Sequence, residues 1–557
     1  MQQMIVMDYK KLGMFLALLL LIILIAIPLF CIFFTSIYPN QTLNLLAPLR
    51  TLSESNLSEV FWHTIWLGFC VMLTTTVLAV PLAWIFAKTD LCRHNGLDIV
   101  LMIPFMTPPY IGSMGWILFM QRNGYLEQLV PAAKIVTTFF FSFGGMVAIM
   151  SLHLYPFLYL ILRNIFVQIS GNKEAAAIVH GGSFLYNFRR IVIPLALSGY
   201  AMGALLVFVK TIAEFGTPAT FGRKIGYFVM TSEIHQYISH WPIDFGKATA
   251  LASVLLSACL ILWYIQSLIC QRFSYPLIGG RDSFRRISVL KNGQRLFAWL
   301  YIGGLLGVSI GIPYFSILSA SLMKLRGVGL AWNNITFQYY IALLTWGSNS
   351  MNALMNSLGL SIVAATISVI LGTYCALLIG NSKTRLQRII DLLSLLPNAV
   401  PGIVLVVGFI LFWNSPSMPI PLYNTYGMVV LTYAVLFLPY TVQYVKTNYS
   451  QLNLSLFQAG QVCGGTPVYI LRRILLPLLV PGILAGWMMT FTISIRELVA
   501  SLLILPPDME TSATFIFSQF EQGNVALGMA MAVVSVGLTT ILLLAVNQFH
   551  PARKQNG

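Results

Sequence analysis

Charged side chains are scarce in this sequence. Lys, Arg, Asp and Glu make up 9% of its 557 residues, whereas 58% are hydrophobic. Soluble globular proteins carry about 25% charged residues, so the composition excludes that class. Runs of roughly 20 apolar residues, long enough to cross a bilayer as a helix, recur from end to end. We therefore predict an all-α, polytopic protein of the lipid bilayer.

Acidic residues are half as common as basic ones, 16 against 32, and the formal net charge is +16. A basic excess can indicate nucleic-acid binding. Here, however, most Lys and Arg residues fall in short loops on alternate sides of the apolar runs, a distribution that the positive-inside rule explains. We predict that both termini are cytoplasmic and that nucleic acid is not a partner.

Motifs for catalysis, metal binding and nucleotide binding are missing. The seven cysteines form no CxxC pair, which is the usual spacing of a metal or redox site. The nearest approach to a phosphate-binding GxxxxGK[ST] loop, at 216–224, has Phe221 in place of its second glycine. Glu233, His235 and His240 are not spaced to share one helical face. We predict no catalytic residue, no metal site and no bound cofactor.

The chain divides into two similar halves. We predict about twelve spans, six in a first half (1–270) and six in a second (297–557), joined by a basic cytoplasmic linker (271–296). Because six is an even number, the halves share one orientation and form parallel repeats. Matched residues keep a near-constant offset, as duplication requires: Pro104 and Pro397, Pro108 and Pro401, Asp98 and Asp391, Pro194 and Pro477, Glu214 and Glu497.

One polar stretch between spans occurs in both halves, near 173–194 and near 458–477. Alanines predict a short helix in each copy, and paired glycines predict its end. A proline then falls near the first turn of the next span, where its missing N–H costs little. We expect a short surface helix that is rigidly connected to a spanning helix and can pass force from a cytoplasmic partner into the membrane.

These stretches resemble the EAA motif of ATP-binding-cassette importer permeases, in which Glu-Ala-Ala precedes a glycine and a closing Ile-x-Leu-Pro. In the first copy the acid is Glu174, one position early; in the second, Gln458-Ala459-Gly460 stands for Glu-Ala-Ala. The resemblance implies that both stretches dock ATPase subunits. The implied coupling residues are Glu174, Ala175, Ala176, Gly181, Ile191, Pro194, Gln458, Ala459, Gly460, Gly464, Ile474 and Pro477.

The resemblance covers nearly the whole chain as a fused, two-copy permease. It implies a multi-pass protein of the bacterial inner membrane, two copies of a cytoplasmic ATPase subunit that hold ATP-Mg, and an extracytoplasmic solute-binding protein. The stretches 213–222 and 496–507 look most like those of ferric-iron permeases. Thiamine, phosphonate and polyamine permeases of the same class are alternatives.

Four ionisable residues near the predicted outer ends of equivalent spans are candidates for the translocation path or its gate: Lys210, Glu214, Arg496 and Glu497. Charges in a membrane are usually paired or used, and both structural pairing and solute contact remain open for them. An ion-coupled secondary transporter is a second hypothesis, which would predict broken helices or carboxylates at mid-membrane. A membrane-embedded enzyme is a third, which would need a clustered polar constellation.

Overall fold

The computed structural model describes residues 2–549 except 39–41, 94, 170–178, 273–286, 381–383, 417, 420 and 454. Within these ranges ten helices are long and apolar enough to cross a membrane, and a sharply bent pair makes an eleventh if it is counted as one span. The all-helical membrane architecture is confirmed, and the count of twelve spans is not. The ten helices are α1 (Lys11–Ile37), α2 (Asn56–Lys88), α3 (Phe143–Gln168), α4 (Leu185–Ile212), α5 (Phe245–Ile269), α6 (Asn292–Leu322), α7 (Asn349–Ile379), α8 (Tyr426–Ser450), α9 (Pro467–Ser494) and α10 (Val525–Leu542).

The third predicted span of each half is broken, which accounts for the lower count. In the second half, Arg385–Asn398 and Gly402–Trp413 meet at 108°. In the first half, the same region divides into Asn95–Leu101, Ile103–Met106 and Pro109–Met120. Prolines cause the breaks because they lack an N–H and push the preceding residue out of the helical conformation. The matched residues Pro108 and Pro401 have the same extended ψ, 134° and 135°.

Two compact units make up the chain. The first-half unit comprises Leu52–Glu233 and Ser257–Thr336; the second-half unit comprises Met1–Thr51, Ile234–Leu256 and Phe337–Gly557. Each unit thus contains the first spanning helix of the opposite sequence half: α6 in the first-half unit and α1 in the second-half unit. The boundaries 1–270, 271–296 and 297–557 remain a prediction from the sequence.

A glycine and a proline pack at the same place in both units. A Cβ atom on Gly115 would lie 2.8 Å from the carbonyl oxygen of Pro313 in α6. A Cβ atom on Gly408 would lie 2.6 Å from the carbonyl oxygen of Pro28 in α1. Only glycine permits this approach, which brings the broken helix of each half against an irregular helix.

Four of the described spanning helices contain one π turn each, and each of these π turns ends two residues before a proline. A proline ring clashes with the carbonyl four residues earlier, and the wider turn relieves that clash. The expectation that Pro194 and Pro477 lie in the first turn of a span is therefore wrong, because α4 and α9 begin further back, at Leu185 and Pro467. These π turns are Ile22–Ala26 in α1, Phe188–Val192 in α4, Gly307–Gly311 in α6 and Leu471–Leu475 in α9. A further π turn, Pro218–Gly222, lies outside the spanning helices.

The described end of the predicted linker is attached to the end of α2. The Ser288 N–H donates to the Lys88 carbonyl at 2.9 Å, and Arg295 forms a salt bridge with Asp90. Burial acts to raise the pKa of Asp90, but hydrogen bonds from the Leu290 N–H and from Arg295 outweigh it and lower the pKa. The carboxylate therefore stays charged and holds the start of α6 beside α2.

We predict that Gly408→Ala destabilises the protein by about 2 kcal/mol, because the added methyl group overlaps the Pro28 carbonyl. Gly359→Ala is the matched control, since no heavy atom lies within 4 Å of a Cβ built at this helical glycine. Alanine there gains up to about 1 kcal/mol of helix propensity. Thermal unfolding of both variants in one detergent checks the difference. Equal melting temperatures would contradict the close packing.

Candidate coupling site

The second polar loop forms a helix that ends in a glycine turn. The helix spans Ser455–Val462, and Gly464 follows with a left-handed φ of +78°. The Gly464 N–H bonds to the Gln461 carbonyl at 3.0 Å, and the Gly465 N–H bonds to the Gly460 carbonyl at 2.9 Å. This pair of bonds is a Schellman motif, which satisfies the last carbonyls of the helix.

In the first loop, Gly181 also adopts a left-handed conformation, with a φ of +80°. The predicted helix end is confirmed at Gly464, whereas residues 170–178, where the first-copy helix is predicted, lie outside the described residues. The three first-copy residues of the predicted Glu-Ala-Ala position, Glu174, Ala175 and Ala176, lie outside the described residues.

Each glycine turn leads into a capped helix. The Thr466 hydroxyl oxygen accepts a hydrogen bond from the Tyr469 N–H at 3.3 Å, and Ser183 accepts one from the Tyr186 N–H at 3.3 Å. Serine and threonine are favoured at helix N-caps because they satisfy the first free N–H groups. These two caps were not predicted from the sequence, although a hydroxyl residue lies two positions after the glycine in each loop and could have indicated them.

The helix of the second loop packs on its own spanning helix. A Cβ atom on Gly460 would lie 3.0 Å from Ile474 and 3.2 Å from Ile470. The small residue of the motif and its isoleucine therefore make an internal contact, while Gln458, Ala459 and Pro477 are exposed. In the first loop, Ile191 is half-buried and Pro194 exposed, as are their counterparts Ile474 and Pro477. Of the described motif residues, Gly460 and Ile474 hold the helix of the second loop against α9, whereas Gln458, Ala459, Pro194 and Pro477 are exposed.

Large apolar side chains are exposed at matched places in both loops. Val179 and Val462 are 83% and 87% exposed, and Tyr186 and Tyr469 are 56% and 57% exposed. We call each set a coupling patch, and exposed apolar clusters of this kind mark interaction sites. The first patch comprises Val179, Leu185 and Tyr186; the second comprises Val462, Val468 and Tyr469.

A partly buried ion pair braces the base of each broken helix. Asp98 pairs with Arg163 of α3 at 2.9 Å, and Asp391 pairs with Lys446 of α8 at 2.6 Å. The hydroxyl of Tyr159 also donates to Asp98, at 2.6 Å. The two aspartates were recognised in the sequence as matched positions of the repeat. Their cationic partners, Arg163 and Lys446, are distant in sequence and could be identified only from the structure.

Two of the four path candidates act as helix caps. One carboxylate oxygen of Glu214 accepts a hydrogen bond from the Thr217 N–H at 2.9 Å. The matched oxygen of Glu497 accepts hydrogen bonds from the N–H groups of Val499 and Ala500 at 3.1 and 3.2 Å. Each acid therefore fixes the chain where it leaves α4 or α9. Lys210, in the last turn of α4, and Arg496 are half-buried.

The second oxygen of Glu214 is buried and has no hydrogen-bond partner among the residues that the structure describes. No group of three or more His, Cys, Asp or Glu residues in the same ranges is arranged to hold a metal ion.

Comparison of the sequence with known proteins identifies a family. The model of the binding-protein-dependent transport system inner membrane component matches residues 75–275 and, a second time, 368–555. The ferric transport system permease protein FbpB of Actinobacillus pleuropneumoniae is 23% identical over 96% of this chain and 78% of its own length. The Fe(3+)-transport system permease protein FbpB 2 of Haemophilus influenzae is 23% identical over 94% and 97%.

A half-length relative is the putative 2-aminoethylphosphonate transport system permease protein PhnV of Salmonella typhimurium, 25% identical over 42% of this chain and 89% of its own length. Permeases of this kind are non-catalytic membrane subunits that work with ATPase and binding-protein partners. The double match over most of the sequence shows that the chain belongs to the binding-protein-dependent transport permeases and carries two copies of their inner-membrane domain.

Proposed function

We propose that this chain is the permease of an importer for ferric iron and that its two coupling patches dock two copies of an ATPase. The observation that carries the docking proposal is the matched exposure of three apolar side chains in each loop. Both patches and both termini would then face the cytoplasm, with ATP-Mg held by the partner subunits. The binding protein would deliver the solute to the opposite side.

In the second loop, a continuous series of contacts connects the coupling patch to its spanning helix. In the second copy, the patch residue Val462 ends a helix that the glycine turn fixes and that packs on Ile474. Ile474 lies in the π turn of α9, and α9 continues without a break to Ser494. Beyond its end, Glu497 caps the next helix. Displacement of the patch by the ATPase would therefore move α9 as one body.

Iron is favoured as the solute for two reasons. Near-full-length relatives are named as ferric permeases, and the stretches 213–222 and 496–507 resemble those of such permeases. The relative named for 2-aminoethylphosphonate matches only half of the chain. Iron would enter the membrane path from the binding protein when ATP binding switches the permease to its outward-facing state.

We predict that Val179→Glu and Val462→Glu together abolish co-purification of the ATPase, because each buries a charge in an apolar interface. Trp332→Glu is the control: this side chain is 93% exposed and lies on the predicted outer side. It should leave ATPase binding unchanged. Undiminished ATPase binding by the Val179 and Val462 double variant would rule out the patches as docking sites.

We predict that Gly464→Val weakens the turn by about 1–2 kcal/mol, because a β-branched side chain resists the left-handed conformation. Asparagine tolerates that conformation, so Gly464→Asn is the matched control. Amide exchange at Gly465, whose N–H closes the turn, should rise about tenfold with valine and little with asparagine. Equal exchange in both variants would mean that the left-handed glycine does not hold the turn.

We predict that vesicles containing the chain, its ATPase and its binding protein take up radiolabelled ferric iron only with ATP. Thiamine, 2-aminoethylphosphonate and spermidine, each offered with the same proteins, should not be accumulated. Uptake of one of these in place of iron would replace the proposed substrate. Uptake driven by a proton or sodium gradient without any ATPase would overturn the importer mechanism.

A further inference from the structure

The broken span of the second half begins with a helix that has two different faces. This first arm is α-helical over Arg385–Leu395. The side chains of one face are buried in the second-half unit: Gln387, Ile390 and Ser394. Those of the opposite face are exposed: Arg385, Arg388, Ile389 and Leu392. Because the exposed residues follow one another at i, i+3, i+4 and i+7, they form one stripe in which two guanidinium groups adjoin two large apolar side chains.

The first arm lies across the ends of two spanning helices. The side-chain amide of Gln387 donates to the carbonyl of Leu378, one residue before the end of α7, at 2.9 Å. Farther along, Asp391 pairs with Lys446 near the end of α8. The second arm, Gly402–Trp413, is bent away from the first by 108°. The first arm therefore runs along the membrane boundary, where amphipathic helices with basic residues lie.

A third cation lies at the same end of the second-half unit. The start of α1 packs on the first arm. The Gly13 carbonyl of α1 accepts a hydrogen bond from the Tyr374 hydroxyl at 2.8 Å, and a Cβ atom on Gly13 would lie 3.7 Å from Leu378. Lys11, two residues before Gly13, is exposed. From there α1 continues with exposed apolar side chains: Leu12, Phe15, Leu16 and Leu19.

The two arginines of the stripe are not neutralised by the protein. Their guanidinium groups have no ion-pair or hydrogen-bond partner among the residues that the structure describes. Asp391, on the same helix, is already engaged by Lys446. Like charges three residues apart on a helix repel each other weakly, so an anion held between Arg385 and Arg388 is favourable. Guanidinium groups match the geometry of a phosphate and bind it with paired hydrogen bonds.

The first half does not repeat this stripe. The offset of 293 residues that matches Asp98 with Asp391 makes Cys92 and Asn95 the equivalents of Arg385 and Arg388. Basic residues that only orient a span need no particular place on a helix surface. A stripe that joins arginines to exposed apolar side chains instead suits a ligand with an anionic part and an apolar part.

We propose that the first arm and the start of α1 form a binding site for an anionic phospholipid on the predicted cytoplasmic side of the membrane. Arg385 and Arg388 hold the lipid phosphate, and Lys11 adds positive charge. The acyl chains lie against Ile389 and Leu392. Basic pockets between spanning helices bind lipid headgroups in this way. The site fastens the broken span of the second half to the bilayer, and it does not depend on which solute is transported.

The test measures lipid binding to the purified full-length chain in neutral detergent by native mass spectrometry. Phosphatidylglycerol should bind about tenfold more tightly than phosphatidylcholine, which has the same acyl chains and no net charge. Arg385→Gln with Arg388→Gln should weaken phosphatidylglycerol binding about thirtyfold, since each basic residue near a lipid surface contributes about fivefold. Arg385→Lys with Arg388→Lys keeps the charge and should retain most of the binding.

The matched control removes two exposed cations from the same predicted side of the first-half unit, Arg93→Gln with Lys291→Gln. It should bind phosphatidylglycerol like wild type. An excess of inorganic phosphate should displace little lipid, because phosphate lacks the acyl chains. If the Arg385 and Arg388 double glutamine variant does not fold, Arg388→Gln alone should weaken binding about fivefold.

The other outcomes overturn the proposal in different ways. Unchanged phosphatidylglycerol binding by the double glutamine variant removes the site. Equal weakening by the Arg93 and Lys291 control means that only overall charge matters. Complete displacement of lipid by inorganic phosphate identifies a site for a free anion. Unchanged lipid binding together with loss of ATPase co-purification assigns Arg385 and Arg388 to a protein interface instead.

Discussion

A proline in a membrane-spanning helix removes a backbone donor and displaces a carbonyl where no water can replace either partner. The helix can respond by widening a turn, or by breaking where packed protein satisfies the freed groups. Both responses occur here: π turns precede Pro28, Pro194, Pro313 and Pro477, and breaks occur at Pro108 and Pro401. Each of these irregular places therefore has a proline beside it, although four other prolines lie within continuous α-helix: Pro81, Pro156, Pro439 and Pro481.

Those irregular places are also where the helices meet. The glycines that receive Pro313 and Pro28 lie on the broken helices, so a break and a widened turn face each other in each unit. The bases of the same broken helices are held by the Asp98–Arg163 and Asp391–Lys446 ion pairs. A partly buried ion pair of this kind contributes more to a defined geometry than to the net free energy of folding. Close packing at one point and an ion pair at another leave the broken helix little freedom to move except with its neighbours.

The sequence predicted what depends on local chemistry and duplication. It predicted the helical membrane class, the repeat, and the helix end at Gly464, because glycine in a left-handed turn is a local property. It did not predict the breaks at Pro108 and Pro401, since hydropathy along a span is the same whether the span is straight or bent. It also missed the role of Gly460, which was expected to face a partner and instead contacts Ile474. Contacts of that kind depend on the tertiary fold, which the spacing of residues in the sequence does not reveal.

Duplication explains why some features are matched and others are not. If the two loops dock two copies of one ATPase, as proposed, they have the same task, and the left-handed glycines Gly181 and Gly464 and the exposed tyrosines Tyr186 and Tyr469 are matched accordingly. Inside the membrane, the backbone of the repeat is matched more closely than its side chains. The π turns of α1 and α6 both end two residues before a proline, but α6 has Ser309 where α1 has Leu24. The proline therefore dictates the backbone in both copies and leaves the neighbouring side chain free to differ.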